Sequence, residues 1–229
     1  MPASPPLLSF DYMRQRLGLL LLFGASMAAS VALLAGRIYL THQLTYVFLL
    51  WNLFLAVVPF GMSTMLSLAA GPVRRRVLLP ATGVWLVFFP NAPYLITDFF
   101  HLYTWPAVPG WYDLVLILSF AWNGLMLGFC SLQEMQRLYA RAFGRGGGWV
   151  FVVVALLLGS LGVYFGRFLR YNSWNVVSNP LALGQDLLER FLHPFAYPGT
   201  YGATLLLTAL LLLGYLLVRQ LGHAATEQR

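Results

Sequence analysis

The chain has 229 residues, of which 59% are hydrophobic and only 9% charged, against roughly 25% charged residues in a soluble domain. Such a chain expects lipid around it, and its net charge of +7 sits in arginine clusters at helix ends, where it orients the chain and meets anionic headgroups; nucleic acid is excluded as a partner, and membrane lipid is the expected one. The single cysteine, Cys130, excludes an intramolecular disulfide and a cysteine-based metal cluster.

A helix that crosses a hydrocarbon core of about 30 Å needs about 20 mostly apolar residues. Six windows meet that demand, at 17–35, 44–66, 77–97, 112–132, 149–168 and 201–221, so the expected fold is an all-α polytopic bundle of about six transmembrane helices in one domain, 1–229. In the first window Arg14 and Arg16 precede an apolar run, and the small residues Ala25 to Ser30 imitate a signal-peptide cleavage site. The run continues to Ala35, longer than a signal core, which reads as an uncleaved span. Arg14, Arg16, Arg74, Arg75, Arg76, Arg137, Arg141, Arg145, Arg219 and Arg229 fall on one side of the bundle, and Arg37, Arg167, Arg170 and Arg190 on the other. The positive-inside rule puts the richer side, and with it both termini, in the cytoplasm of a bacterial inner-membrane protein.

The second window carries Trp51-Asn52, echoed as Trp122-Asn123 in the fourth, with negligible identity around them. Asn52 and Asn123 are expected near mid-membrane, where an amide needs a partner, and both read as interhelical hydrogen bonders. The third window contains Pro90 and Pro93, which interrupt helical hydrogen bonding and free carbonyls that lipid does not satisfy. Asn91 is placed to cap one of them. If the helix resumes with Pro93 in its first turn, Asn91, Tyr94, Asp98 and His101, spaced 3, 4 and 3, share one face. One reading of this stripe is a packing kink with an Asp98–His101 pair across a turn. The other makes Asp98 and His101 an acid/base couple, the carboxylate fixing the imidazole tautomer. A metal at His101 would need a further ligand from Asp113, His193, Asp186 or Glu189, and none is assigned; the sequence leaves any cofactor unknown.

The connection after the third window is rich in aromatics and proline (Phe99, Phe100, Tyr103, Trp105, Pro106, Pro109, Trp111), which suits the headgroup layer. In the fourth window Glu134 stands three residues before Arg137, the spacing of a local ion pair, and Gly144 with Gly146 to Gly148 reads as a plain turn. At the end of the fifth window Arg167 and Arg170 lie one turn apart against the charge rule. They read either as snorkelling side chains or as a clamp for an anionic headgroup, with Asp98 and Asp113 as alternative partners. Asn172 and Trp174 follow as binding candidates. Residues 181–192 then read as a short amphipathic interfacial helix, with Asp186, Glu189 and Arg190 on its polar side and a lid as its second reading.

Trp51-Asn52, the run Phe89 to Tyr94 with Thr97-Asp98 and His101, Trp111-Tyr112-Asp113, and Gly166-Arg167-Phe168 with Arg170, Asn172-Ser173-Trp174 and Pro180 resemble a bacterial multi-pass membrane family catalogued as domain of unknown function 1361. The likeness covers roughly 44–180. It departs at Asn175, where an acidic residue is expected. The resemblance implies a membrane-embedded fold and no particular chemistry. Three functions stay open: an enzyme acting on a lipid or lipid-linked substrate, with Thr97 or Ser173 as nucleophile; a small-molecule or lipid transporter or flippase; and a non-catalytic accessory protein with a membrane or extracytoplasmic protein partner. Oligomeric state is not legible.

Overall fold

A computed structural model describes residues 10–69, 73–102, 107–171 and 178–227. Among these residues the chain is all-α. Its elements are α1 (Phe10–Thr41), α2 (Phe48–Leu68), α3 (Arg75–Phe88), the single turn α4 (Asn91–Tyr94) prolonged by a 3₁₀ helix (Leu95–His101), α5 (Gly110–Phe168), α6 (Pro180–Leu192), a short 3₁₀ turn (Pro194–Ala196) and α7 (Pro198–Glu227). Five of these stretches are long and apolar enough to cross a membrane.

One of the five is two passes. The 59 residues of α5 would extend about 90 Å as a straight helix, three times the thickness of the hydrocarbon core. Gly144, at φ 82° and ψ 169°, folds it into a hairpin whose arms are 110–143 and 145–168. The arms are antiparallel, because Tyr139 stacks on Phe151 with ring centroids 4.1 Å apart and a Cβ added to Gly148 would stand 3.0 Å from that of Ala140. The turn expected over Gly144 and Gly146 to Gly148 is therefore narrowed to one residue. Arg137 and Arg141 stay helical, and Gly144 alone makes the reversal, in a backbone region that costs other residues strain. Gly147 and Gly148 lie inside the second arm, where the hairpin leaves no room for side chains: their added Cβ atoms would meet Phe143 and Ala140.

Six passes thus form the helical membrane bundle. Its basic end gathers the start of α1, the α2–α3 connection, the turn at Gly144 and the end of α7. The pairing expected between Glu134 and Arg137 is not made there. Glu134 instead takes Arg16 of α1 in an ion pair and accepts hydrogen bonds from Ser63 (2.6 Å) and Thr64 (3.2 Å) of α2. Burial explains the difference: a carboxylate with a 6% exposed side chain needs a partner delivered into the bundle, and Arg16 reaches it from the neighbouring helix. Midway along, Ser131 accepts from Trp85 Nε1 at 2.8 Å and donates to the carbonyl of Pro59 at 2.8 Å, tying α2, α3 and α5 at one point.

The prolines in the third pass do not unwind it. Phe89 and Pro90 keep right-handed helical angles, and the chain tightens into one α turn and then the 3₁₀ helix. Asn91 Nδ2 donates to the freed carbonyl of Phe88 at 2.8 Å, as the sequence suggests. Glycines of both α5 arms admit the segment: added Cβ atoms at Gly124 and Gly128 would strike Ala92 and Leu95, and at Gly159, Gly162 and Gly166 they would strike Phe89, Pro90 and Tyr94. Close approach of backbones at small residues is the usual means of packing helices in lipid.

Candidate functional site

The tighter 3₁₀ winding carries Asp98 and His101 three residues apart onto one face, and Arg167, on the last turn of α5, lies over both. Its Nη2 forms the ion pair with Asp98 Oδ1 at 2.9 Å and also meets the carbonyl of Thr97. Nε donates to Thr97 Oγ1 at 3.0 Å, and Nη1 stands 3.0 Å from His101 Nε2. The guanidinium further covers the rings of Tyr94 (5.0 Å) and Phe100 (5.5 Å). Four of its five N–H donors are thereby directed at neighbours in the fold. Asp98 is 1% exposed and takes a second bond, 3.0 Å long, from Asn52 Nδ2.

This geometry revises the acid/base couple expected of Asp98 and His101. The imidazole nitrogen that faces the cluster is held against a guanidinium, which has no acceptor, so Nε2 is the lone-pair nitrogen and His101 is neutral. Asn52 is likewise relocated. It lies in the second turn of α2, close to the helix end rather than at mid-membrane, and it bonds between helices to the buried carboxylate. Asn123, well inside the first arm of α5, donates to Ser30 Oγ at 3.0 Å and to the carbonyl of Ser119 at 2.9 Å.

Asp113 does not join Arg167. It is 2% exposed and forms a two-pronged pair with Arg37 of α1, Nε to Oδ1 at 2.7 Å and Nη2 to Oδ2 at 3.3 Å. Arg37 is nearer because α1 packs on the first arm of α5, whereas Arg167 ends the second. Tyr46 links the two clusters: Arg37 lies 4.4 Å over its ring, and its hydroxyl donates to the His101 carbonyl at 3.0 Å. Arg170 is exposed, at φ 59°, one step past the helix end, where the Tyr171 amide bonds back to the Phe165 carbonyl at 3.2 Å. It occupies the left-handed capping position usually taken by glycine. Asn172 and Trp174, with Ser173 and Asn175, lie outside the described residues, as do Tyr103 and Trp105. No group of three His, Cys, Asp or Glu side chains among the described residues is placed to hold a metal ion.

Beside this polar cluster is a cavity of about 340 Å³, within the range of about 300–1,000 Å³ typical of small-molecule sites. Its walls are α2 (Trp51, Asn52, Leu55), the broken third pass (Leu86, Val87, Pro90, Asn91, Tyr94) and the second arm of α5 (Leu158, Leu161, Phe165). Leu183 and Leu187 of α6 roof it. The helix expected at 181–192 is thus present, and Leu183 and Leu187 on its inner side line the cavity. Tyr171 pins it, donating to Asp186 at 2.8 Å; that bond to a carboxylate holds the phenol above the usual tyrosine pKa. Arg190 is retained by Asp186 (3.8 Å) and lies over Phe165 and Tyr197.

Arg37, Tyr46 and Tyr171 were not among the residues singled out by spacing. A signal existed for Arg37, an arginine at the sparsely charged end that is flanked by apolar residues on one helix.

These features define a polytopic helical membrane protein with a part-apolar cavity beneath a buried arginine–carboxylate cluster. The chain belongs to the family described as protein of unknown function DUF1361, whose profile matches residues 51–213 and so spans both the cluster and the cavity. No curated protein and no solved structure matches it.

Proposed function

We propose that this protein binds a lipid or lipid-linked molecule in the cavity between α2, the third pass and α5, at the extracytoplasmic end of a bacterial cytoplasmic-membrane bundle. The cavity carries the reading. It is largely apolar, it begins under α6 at the end of the bundle, and it runs down α5 from Gly166 to Leu158, about 12 Å at 1.5 Å per residue. That is the shape of a slot for an acyl or prenyl tail with a polar group at its mouth. The concentration of ten of the fourteen arginines at the opposite end supports both termini in the cytoplasm.

Binding is favoured over chemistry or coupled transport by the state of the charged groups. Asp98, Asp113 and Glu134 each have an arginine partner, and His101 Nε2 faces a guanidinium. Carboxylates so engaged are poor proton carriers, and an imidazole so engaged is a poor general base.

The test is lipid retention. Protein purified in mild detergent is expected to carry an amphiphile visible by native mass spectrometry, and Leu161→Trp, which fills the cavity, is expected to reduce its occupancy at least tenfold. Equal occupancy in the two proteins would refute the reading.

A further inference from the structure

The chemistry at the polar end of the cavity specifies the kind of headgroup it takes. Arg167, the cation nearest the cavity's polar wall, spends its donors on Asp98, Thr97 and His101, and its charge is matched by Asp98 at 2.9 Å. Arg190 is held by Asp186 and sandwiched near Phe165 and Tyr197. Arg170 lies outside the lining. Among the described residues, then, the lining holds no cation, and a phosphate brought into it would lose its water with no opposite charge to replace it.

What the lining does hold is neutral polarity. Asn52 must donate its Nδ2 to Asp98, because a carboxylate accepts only; its Oδ1 therefore faces away from Asp98 and makes no bond to a described residue. The Tyr94 hydroxyl makes none either, although its ring is fixed by Arg167 on one side and Gly166 on the other. Both residues line the cavity. They present one acceptor and one group that both donates and accepts, on elements held rigid by an ion pair and by helix packing. A hydroxyl donates to such an acceptor and accepts from such a phenol; a fully ionised phosphate, monoester or diester, has no donor and leaves Asn52 Oδ1 unmatched, besides bringing a charge that the lining does not neutralise.

We infer that the ligand is an uncharged amphiphile with a hydroxyl-bearing head, of the class of diacylglycerols and long-chain or prenyl alcohols, bound with that hydroxyl between Asn52 Oδ1 and the Tyr94 phenol. The inference rests on the cavity being the binding site, as proposed above, and sharpens it to a headgroup class. It departs from the anionic clamp that the spacing of Arg167 and Arg170 suggests.

Delipidated full-length protein in detergent, titrated separately with dioleoylglycerol and with dioleoylphosphatidate and read by native mass spectrometry, tests it. The expected result is retention of the diacylglycerol at least tenfold over the phosphatidate, loss of that retention in Leu161→Trp, and a three- to tenfold loss in Tyr94→Phe, which keeps the ring over Arg167 and removes only the hydroxyl. Phosphatidate retained as well as diacylglycerol, and lost in Leu161→Trp, would overturn the headgroup class and leave the cavity as a lipid site. Retention of the diacylglycerol unaffected by Tyr94→Phe would overturn the pose. Retention of neither lipid would overturn both the headgroup class and the cavity reading.

Discussion

At the scale of the residue, charge in this bundle is stored in pairs. Arg37 and Asp113 have side chains 0% and 3% exposed, so each depends on the other for what water would have supplied. Removing one leaves a bare ion in low dielectric, at a cost of about 3–5 kcal/mol, whereas replacing both with apolar residues of similar size is close to neutral. Arg37→Met and Asp113→Leu are each expected to lower the thermal unfolding midpoint in detergent sharply, and the double variant to recover most of the loss. Additive losses in that double-mutant cycle would show that the two side chains do not act as a pair. The sequence exposes the members of these pairs better than the pairings. Asp98, Asp113, Arg167 and Glu134 all stand out as ionisable groups beside apolar runs, but the partner in each case comes from another helix. Local spacing pointed Glu134 to Arg137, and placement at the same end offered Asp113 as well as Asp98 to Arg167 and Arg170; tertiary packing gave Glu134 Arg16, Asp113 Arg37 and Asp98 Arg167.

The elements themselves were mostly legible, because a span leaves a length and a composition that few other structures share. All six apolar windows are helical, and the amphipathic stretch at 181–192 is α6 almost to the residue. Ends were less legible. The hydropathy signal stops where lipid stops, whereas helices continue into the headgroup layer, so α1 starts at Phe10 and the first arm of α5 runs past Arg137. The seat of the third pass was not legible, since glycines of two distant windows meet only once the hairpin forms. Gly124 is the strictest of them: an added Cβ would lie 2.6 Å from the Ala92 carbonyl oxygen and 2.5 Å from Leu95 Cδ1. Gly124→Ala is expected to destabilise the protein by about 1–3 kcal/mol, as overpacking does. Gly83→Ala, on α3 with nothing within 4 Å, is expected to be neutral or to gain up to about 1 kcal/mol from helix propensity. A pair of thermal melts compares them, and similar shifts in the two variants would remove steric fit as the cause.

For the whole molecule, the two ends differ in kind. The basic end is a rim of arginines around one buried carboxylate. The other holds two linked ion pairs, the tightened segment, the cavity and α6, with Leu181 and Phe191 exposed at 79% and 76% and Phe195 of the following 3₁₀ turn at 98%. That outward apolar face suits a helix lying in the membrane surface. Reporter fusions after Gly110 and after Arg145 are expected to register outside and inside the cytoplasm respectively, and the opposite pattern would invert the orientation on which the extracytoplasmic placement depends. The uneven spread of arginines made the difference between the two ends, though not their orientation, readable from sequence. The cavity was not, because apolar residues lining a void and apolar residues facing lipid have the same composition.

The glycine seat also bears on how the chain is made. The third pass is synthesised before the α5 hairpin, yet both walls that receive Phe89, Pro90, Ala92 and Leu95 belong to that hairpin. A nascent chain inserting helix by helix therefore holds a proline-weakened segment in the bilayer against α2 alone until the first α5 arm emerges, and lacks the wall of the second arm until some seventy further residues have followed. Asn91 covers the Phe88 carbonyl from within the segment itself. Arg167 completes the buried cluster only on arriving at the far end of the second arm, and Leu183 and Leu187, later still in the chain, complete the cavity.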